Sequence, residues 1–517
     1  MTNPNTTLSG STWKRLLLVM VTVLVTLVLF QSLVNSWNQP QVASQLELYQ
    51  TDLLLESSAW KFDSAQSWGW SGQEEWQRVR QALLGQDPVA TAQQQYEKVR
   101  QRASTNLHSL LSQATSLREA DQPLGRRQQN AQAQQRQLID QIDLRLGLME
   151  SYQGQVQAAL DRWQDLADRP TTEADLAHTT KLLSRLWQSG GQVEAGDGEW
   201  LRANLDGWFE YRALDQLYRV ANRPEDQLRL QAQEQVTATD RLVKLLLITT
   251  APAIAALAGL GLMVGLLGQW LWQRQDSLLD GQAQPWSIPW TGETIWEVLV
   301  LGFFFIGQIL LPLLLGGLGL SSADLSSRQR AFFSLSYYLL MAGGGLAVLW
   351  WCLRPYRPLP SDLFTLKPSW RGLLWGLGGY LVALPLMFGV ALLNQHLWQG
   401  QGGSNPLLQT VLEEKDPVAL VIFFMTAALA APLFEETLFR GFLLPSLSRY
   451  MGLPWAIGLS GFIFAAAHLS LSEILPLTLL GMVLGFVYSR SRNLLSPMVL
   501  HSLWNGATMA GLLILGS

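Results

Sequence analysis

A chain of 517 residues exceeds one ordinary domain and is expected to fold as at least two units. Its formal charge of −4 and pI near 5.8 give no basic footprint, which argues against nucleic acid as a partner. The 48% hydrophobic and 15% charged composition averages two unlike regions: Gln-rich, charged sequence over residues 36–240 and a mostly apolar remainder. The single cysteine, Cys352, lies in an apolar run and cannot form an internal disulfide.

In chain order, Lys14 and Arg15 precede an uncharged run from Leu16 to Val34. No small-residue cleavage site follows closely, so residues 1–35 read as an uncleaved membrane anchor rather than a signal peptide. Residues 36–240 then read as an extramembrane helical domain. Around Gln141–Ala167 the apolar residues Ile142, Leu146, Met149, Val156, Leu160 and Trp163 recur at near-heptad spacing, with Gln153 breaking the seam. Two stretches, Ala159-x3-Trp163-x2-Leu166 and Ala213-x3-Leu217-x2-Val220, each end at a proline, as the second helix of a tetratricopeptide-type repeat does. Their separation is wrong for adjacent repeats, so plain helical hairpins are the better expectation. This domain carries no catalytic residues and reads as a docking or sensing module for a protein partner.

Residues 241–289 hold a second span, Leu245–Leu267, and a linker. Spans follow at Val298–Leu320, Phe332–Leu353 and Gly372–Asn394, each about the 20 residues that a crossing helix needs. The last third is denser: Val418–Phe434, Leu453–Ala467, Ile474–Ser489 and Leu494–Gly516 are shorter or carry polar residues, as expected of helices packed in the middle of a bundle. The expected fold is therefore all-α, a polytopic transmembrane helix bundle of about nine spans with the helical domain inserted between spans 1 and 2. If the spans alternate, Lys14 and Arg15 fall on one side with Arg354, Arg357, Lys367, Arg371, Arg440, Arg449, Arg490 and Arg492. By the positive-inside rule that side is cytoplasmic, which puts the N-terminus there and residues 36–240 outside.

Ionisable groups at membrane depth cost about 2.5–3.5 kcal/mol each on insertion scales, and three clusters of polar residues remain there. Glu435 and Glu436 close one apolar run, followed by Arg440. At 100° per residue, Glu436 and Arg440 lie about 40° apart and can pair, whereas Glu435 lies about 140° from Arg440 and is left to face a cavity. Pro432 is expected to leave the carbonyl of Ala428 without its donor. Phe464 and His468 share a second helix face, and His501 and Asn505 a third, again at i,i+4. A free carboxylate, two imidazoles and an amide can activate water and bind a developing oxyanion. Glu435, His468 and His501 could instead hold a zinc ion, assembled between helices because no H-E-x-x-H helix is present.

In this order and on successive spans, Glu435-Glu436-x3-Arg440, Phe464-x3-His468 and His501-x3-Asn505 resemble the three motifs of the CAAX-protease and bacteriocin-processing family of intramembrane proteases, which includes type II CAAX prenyl endopeptidases. The resemblance covers about residues 290–517, and no motif position departs from the pattern. It implies an intramembrane endopeptidase acting on membrane-associated proteins or peptides in the bilayer, with a chamber opening toward the cytoplasm. Glu435 and His468 would activate water, His501 and Asn505 would stabilise the oxyanion, and Glu436, Arg440 and Phe464 would support the site. Members have been regarded both as metalloproteases and as glutamate-type proteases, so zinc is left open. Two rival readings remain: an inactive scaffold acting through the outer domain, and a proton- or ion-coupled transporter. Intact polar residues at every motif position argue against the first, and the lack of an evident internal repeat against the second.

Overall fold

The computed structural model describes residues 10–37, 39, 41–61, 78, 80–82, 84–119, 126–279, 285–320, 325–398 and 400–516. Residues 1–9 of the predicted anchor, 62–77 and 120–125 of the predicted outer domain and 280–284 of the predicted linker lie outside this set. Two units are distinguished, residues 40–250 and residues 1–39 with 251–517.

The first of these holds α2 (Val42–Ser58), α3 (Pro88–Glu119), α4 (Arg126–Tyr152), α5 (Val156–Asp168), α6 (Ala174–Trp187), α7 (Asp197–Asn204), α8 (Gly207–Val220) and the start of α9 (Pro224–Gln273), α1 (Gly10–Trp37) belonging to the other unit. Its core gathers Tyr96, Ile142, Leu146, Met149, Trp163, Leu183 and Leu214, all fully buried or nearly so. The near-heptad run over Gln141–Ala167 does not form one helix. Gly154 adopts φ +82° and the chain reverses there, with the Gln155 amide donating back to the Glu150 carbonyl at 2.9 Å. This six-residue closure is a Schellman stop that glycine permits and the apolar spacing does not register. The two halves fold into a hairpin in which the Trp163 indole donates to the Leu144 carbonyl at 3.1 Å.

The second unit is an all-helical membrane bundle. Among the described residues, eight helices are long and apolar enough to cross a bilayer: α1, α9, α10 (Gly292–Gly317), α11 (Ser327–Leu353, continued to Tyr356), α12 (Trp370–Trp398), α14 (Pro417–Ser448), α16 (Leu471–Ser491) and α17 (Leu495–Gly516). The chain is therefore an integral membrane protein. Between these lie a short helix, α13 (Pro406–Glu413), and the apolar α15 (Leu453–Ala466). At 1.5 Å per residue the fourteen residues of α15 reach about 21 Å, shorter than the other eight, and the turn that follows α15 meets the end of α1, where the Leu471 amide donates to Ser36 Oγ at 3.1 Å. Burial follows the expected division. Half of the most apolar window of α14 is buried against 11% for α1 and for α9, so α14 is central and the other two face lipid.

Local chemistry sets the helix starts. Asp416 accepts from the Val418 and Ala419 amides at 2.8 and 3.3 Å with Pro417 at the first helical position, and Ser326 and Gln329 form a capping box on α11. The contacts between segment ends agree with nine alternating segments. At one end, Lys14 pairs with Glu297 at 2.6 Å, Arg449 donates to the Ile288 carbonyl at 3.0 Å, and Asn493 donates to the Lys367 carbonyl at 2.7 Å. At the other, the Gly402 amide reaches the Trp37 carbonyl at 3.2 Å, Asn405 reaches Glu473 at 2.7 Å, and Arg328 reaches Asp416 at 3.1 Å.

α15 and α16 touch backbone to backbone: a methyl group on Gly481 would sit 2.6 Å from the Gly461 Cα. Small residues allow such approach between membrane helices. Gly481→Ala is expected to destabilise the detergent-purified protein by about 1–3 kcal/mol, the usual cost of overpacking. Gly511→Ala, whose added methyl meets nothing within 4 Å, is the control. Equal melting temperatures for the two variants would rule out this close contact.

Candidate active site

The site lies where α14, α15, α16 and α17 converge. α14 is not a regular helix: Thr426–Ala430 and Thr437–Leu443 are wound in the wider i→i+5 register, flanking the segment Ala431–Glu436 that carries both glutamates. π-type turns are rare and cluster at functional sites. In that register the carbonyl that Pro432 leaves without a donor is that of Ala427, not Ala428 as α-helical spacing predicts. Asn505 of α17 fills the vacancy, its Nδ2 donating to the Ala427 carbonyl at 2.8 Å.

Glu436 and Arg440 form the expected pair at 2.8 Å, and both side chains are completely buried. The same carboxylate oxygen, Oε1, also accepts from His501 Nδ1 at 2.8 Å. Arg440 donates further to the Gly481 carbonyl at 3.1 Å and lies 4.6 Å above the Phe464 ring, a cation–π arrangement. Phe464 also meets both imidazoles, His468 at 4.9 Å and His501 at 5.8 Å between ring centroids.

Glu435 stands apart from this cluster, as expected. Its Oε1 accepts from the Tyr338 hydroxyl of α11 at 3.3 Å. Its Oε2 is buried, accepts no hydrogen bond among the described residues, and lies 3.9 Å from His501 Nε2. His468 follows the end of α15, where the chain turns so sharply that Leu469 takes φ +58°. That left-handed conformation is strained for leucine. His468 Nδ1 lies 2.9 Å from the Phe464 carbonyl. A carbonyl only accepts, so Nδ1 carries a proton, and in the neutral ring Nε2 presents a lone pair.

Glu435, His468, His501 and Asn505 line one cavity of about 930 Å³. The four residues predicted from spacing are thus brought together. His501 and Asn505 do not act on one point alone, since His501 is also bound to Glu436 and Asn505 to Ala427. Among the cavity residues not foreseen are Tyr338 and Glu473. Tyr338 sits in an apolar run with no ionisable residue one turn away to single it out. Glu473 stands just before an apolar run and has no other acid or base within ten residues except His468. Among the described residues, no group of three His, Cys, Asp or Glu side chains is placed to hold a metal ion, and Glu435, His468 and His501 as arranged do not converge on one.

Comparison with known proteins points the same way. Residues 417–507 match the family described as type II CAAX prenyl endopeptidase Rce1-like. This region runs from the start of α14 into α17 and contains all three motifs, so the resemblance drawn from them is shown there. The chain is 26% identical over 133 residues to a Bacillus subtilis (strain 168) protein named "Putative membrane peptidase YdiL", covering 26% of this chain and 53% of that protein. It is 34% identical over 115 residues to an "Uncharacterized 24.3 kDa protein" of Escherichia coli, covering 21% of this chain and 52% of that protein. The chain thus spans about half the length of the curated relatives it matches. No solved structure gives a significant match.

The buried charges predict a stability pattern. Glu436→Gln leaves the Arg440 guanidinium without its counter-charge and should lower stability in detergent by about 3–5 kcal/mol. Glu436→Gln combined with Arg440→Met removes both ions and should recover much of that loss. A double variant no more stable than the single one would show that the loss does not come from the uncompensated guanidinium.

Proposed function

We propose that this chain is a membrane-embedded endopeptidase that hydrolyses peptide bonds of membrane-associated polypeptides. The observation that carries the reading is Glu435. Its carboxylate has one oxygen steadied by Tyr338 and the other bare, within a cavity shared with two imidazoles and an amide. The family matched over residues 417–507 supports it. So does the name of the Bacillus subtilis relative.

In this proposal a water molecule sits between Glu435 Oε2 and the lone pair of His468 Nε2. Glu435 takes its proton as the oxygen attacks the scissile carbonyl, and His468 orients the water. The carbonyl oxygen becomes an oxyanion. Asn505 has two amide hydrogens, so it can donate one to Ala427 and the other to that oxyanion. His501 contributes a second donor when Nε2 is protonated, its ring held in place by the Glu436 bond at Nδ1. As the C–N bond breaks, the carboxylic acid of Glu435 returns its proton to the leaving amine. Glu436, Arg440 and Phe464 act through the groups they hold and touch no reacting atom.

Detergent-purified protein assayed on a panel of quenched peptides tests this. Glu435→Gln should abolish turnover with folded yield nearly unchanged, since it keeps the shape and removes the base. Asn505→Ala should lower kcat by about 10²–10³, as loss of an oxyanion donor does, with little change in KM. A purely structural Asn505 would instead lower the melting temperature and leave kcat per folded molecule intact. Running each arm with and without chelator decides whether a metal takes part. Full activity of Glu435→Gln would sink the proposal.

A further inference from the structure

The two ends of the membrane bundle differ in charge. Lys14, Arg15, Arg357, Lys367, Arg371 and Arg449 belong to the end where the Lys14–Glu297 and Arg449–Ile288 contacts form. The opposite end carries Glu413, Glu414 and Asp416, with Arg328, Arg330 and Lys415 as its bases, half as many as the six named at the first end. A bias of this kind in short loops places the basic end in the cytoplasm.

The cavity runs the other way. Starting from Glu435 and Tyr338, its lining continues past Asn505 and Thr508 to Asn405, Thr410 and Arg330. Arg330 precedes Tyr338 by about two turns of α11, some 12 Å nearer the acidic end. Asn405 and Thr410 sit beside the loop that ties Trp37 to Gly402. The expected cytoplasmic opening and the basic clusters therefore point to opposite ends of the bundle. Its walls are rich in aromatic residues, among them Phe303, Phe333, Tyr337 and Trp504, with Asn405 and Thr410 at the mouth. Such a lining suits an extended apolar peptide segment whose backbone groups still need hydrogen-bond partners.

We infer that the cavity is served from the non-cytoplasmic face and takes an extended apolar segment of a membrane-anchored polypeptide presented there. The substrate half of this inference rests on the protease reading above. Its consequence is that tails exposed only in the cytoplasm lie on the wrong side of the membrane for this site.

The test reads sidedness without activity. Full-length protein carrying Cys352→Ser is given one cysteine at a time: Thr410→Cys at the mouth, Thr508→Cys within the cavity, or Arg357→Cys at the basic end. Right-side-out and inverted vesicles are treated with a membrane-impermeant maleimide. Thr410→Cys and Thr508→Cys should be labelled in right-side-out vesicles and lose that labelling on inversion, with Arg357→Cys doing the reverse. Labelling of Thr508→Cys from the cytoplasmic side, or from neither side, overturns the inference. Cleavage is scored separately in detergent, where sidedness plays no part. Absence of cleavage there by the Cys352→Ser parent, whose cavity is unaltered, overturns the protease reading and leaves the labelling pattern standing.

Discussion

One carboxylate oxygen, Glu436 Oε1, holds the last four membrane helices of this bundle together. It accepts from Arg440 and from His501, each at 2.8 Å, with no exposure of either the carboxylate or the guanidinium. A buried ion pair gains little over well-packed apolar side chains, because desolvating both charges offsets their attraction. What it gains here is position. Arg440 carries the link to α16 through the Gly481 carbonyl, His501 carries it to α17, and the Phe464 ring over the guanidinium carries it to α15. Four helices are registered by one buried cluster. The methyl-intolerant contact between Gly461 and Gly481 lies at the same spot, where a methyl group on Gly481 would also sit 3.3 Å from Arg440 Nη2.

That arrangement separates two adjacent glutamates into unlike surroundings. Glu436 is surrounded by a cation and an imidazole, whereas Glu435 has a phenol on one oxygen and an open cavity on the other. Two neighbouring carboxylates in unlike environments are the usual way a site divides structural from chemical work. His501 touches both, at 2.8 Å to Glu436 and 3.9 Å to Glu435, so its orientation is fixed on the structural side and expressed on the cavity side. A change at Glu436 must therefore reach the cavity through His501, and the helix-wheel view of Glu436 as merely Arg440's partner is too narrow.

Much of this was legible in the residues, and the exceptions have physical causes. Span positions follow from apolar length, and the motif pairs follow from i,i+4 spacing, both local properties. The end of α15 was legible as well, since its apolar run closes at His468, two residues after the observed Ala466. The break at Gly154 in the near-heptad run was not, because periodicity continued across a helix stop that only the backbone reveals. Tyr338 escaped notice because its partner, Glu435, is 97 residues away. The direction of the cavity is a property of several helices together and leaves no mark on any one of them.

The π-type winding of α14 shows how an irregular backbone shapes the candidate site. A proline at position 432 in a regular α-helix would orphan the carbonyl of Ala428, four residues back. In the i→i+5 register the orphan moves to Ala427, and it is there that Asn505 donates. An unpaired carbonyl at membrane depth costs several kcal/mol, so the bundle gains stability by drawing an amide to this spot. The amide that arrives brings a second N–H, and it arrives on the helix that bears His501, one turn further on. Satisfying the backbone thus places a hydrogen-bond donor at the cavity wall beside Glu435. The defect in α14 and the donor from α17 meet at one carbonyl, that of Ala427, and an apolar residue at position 505 would leave it without this donor.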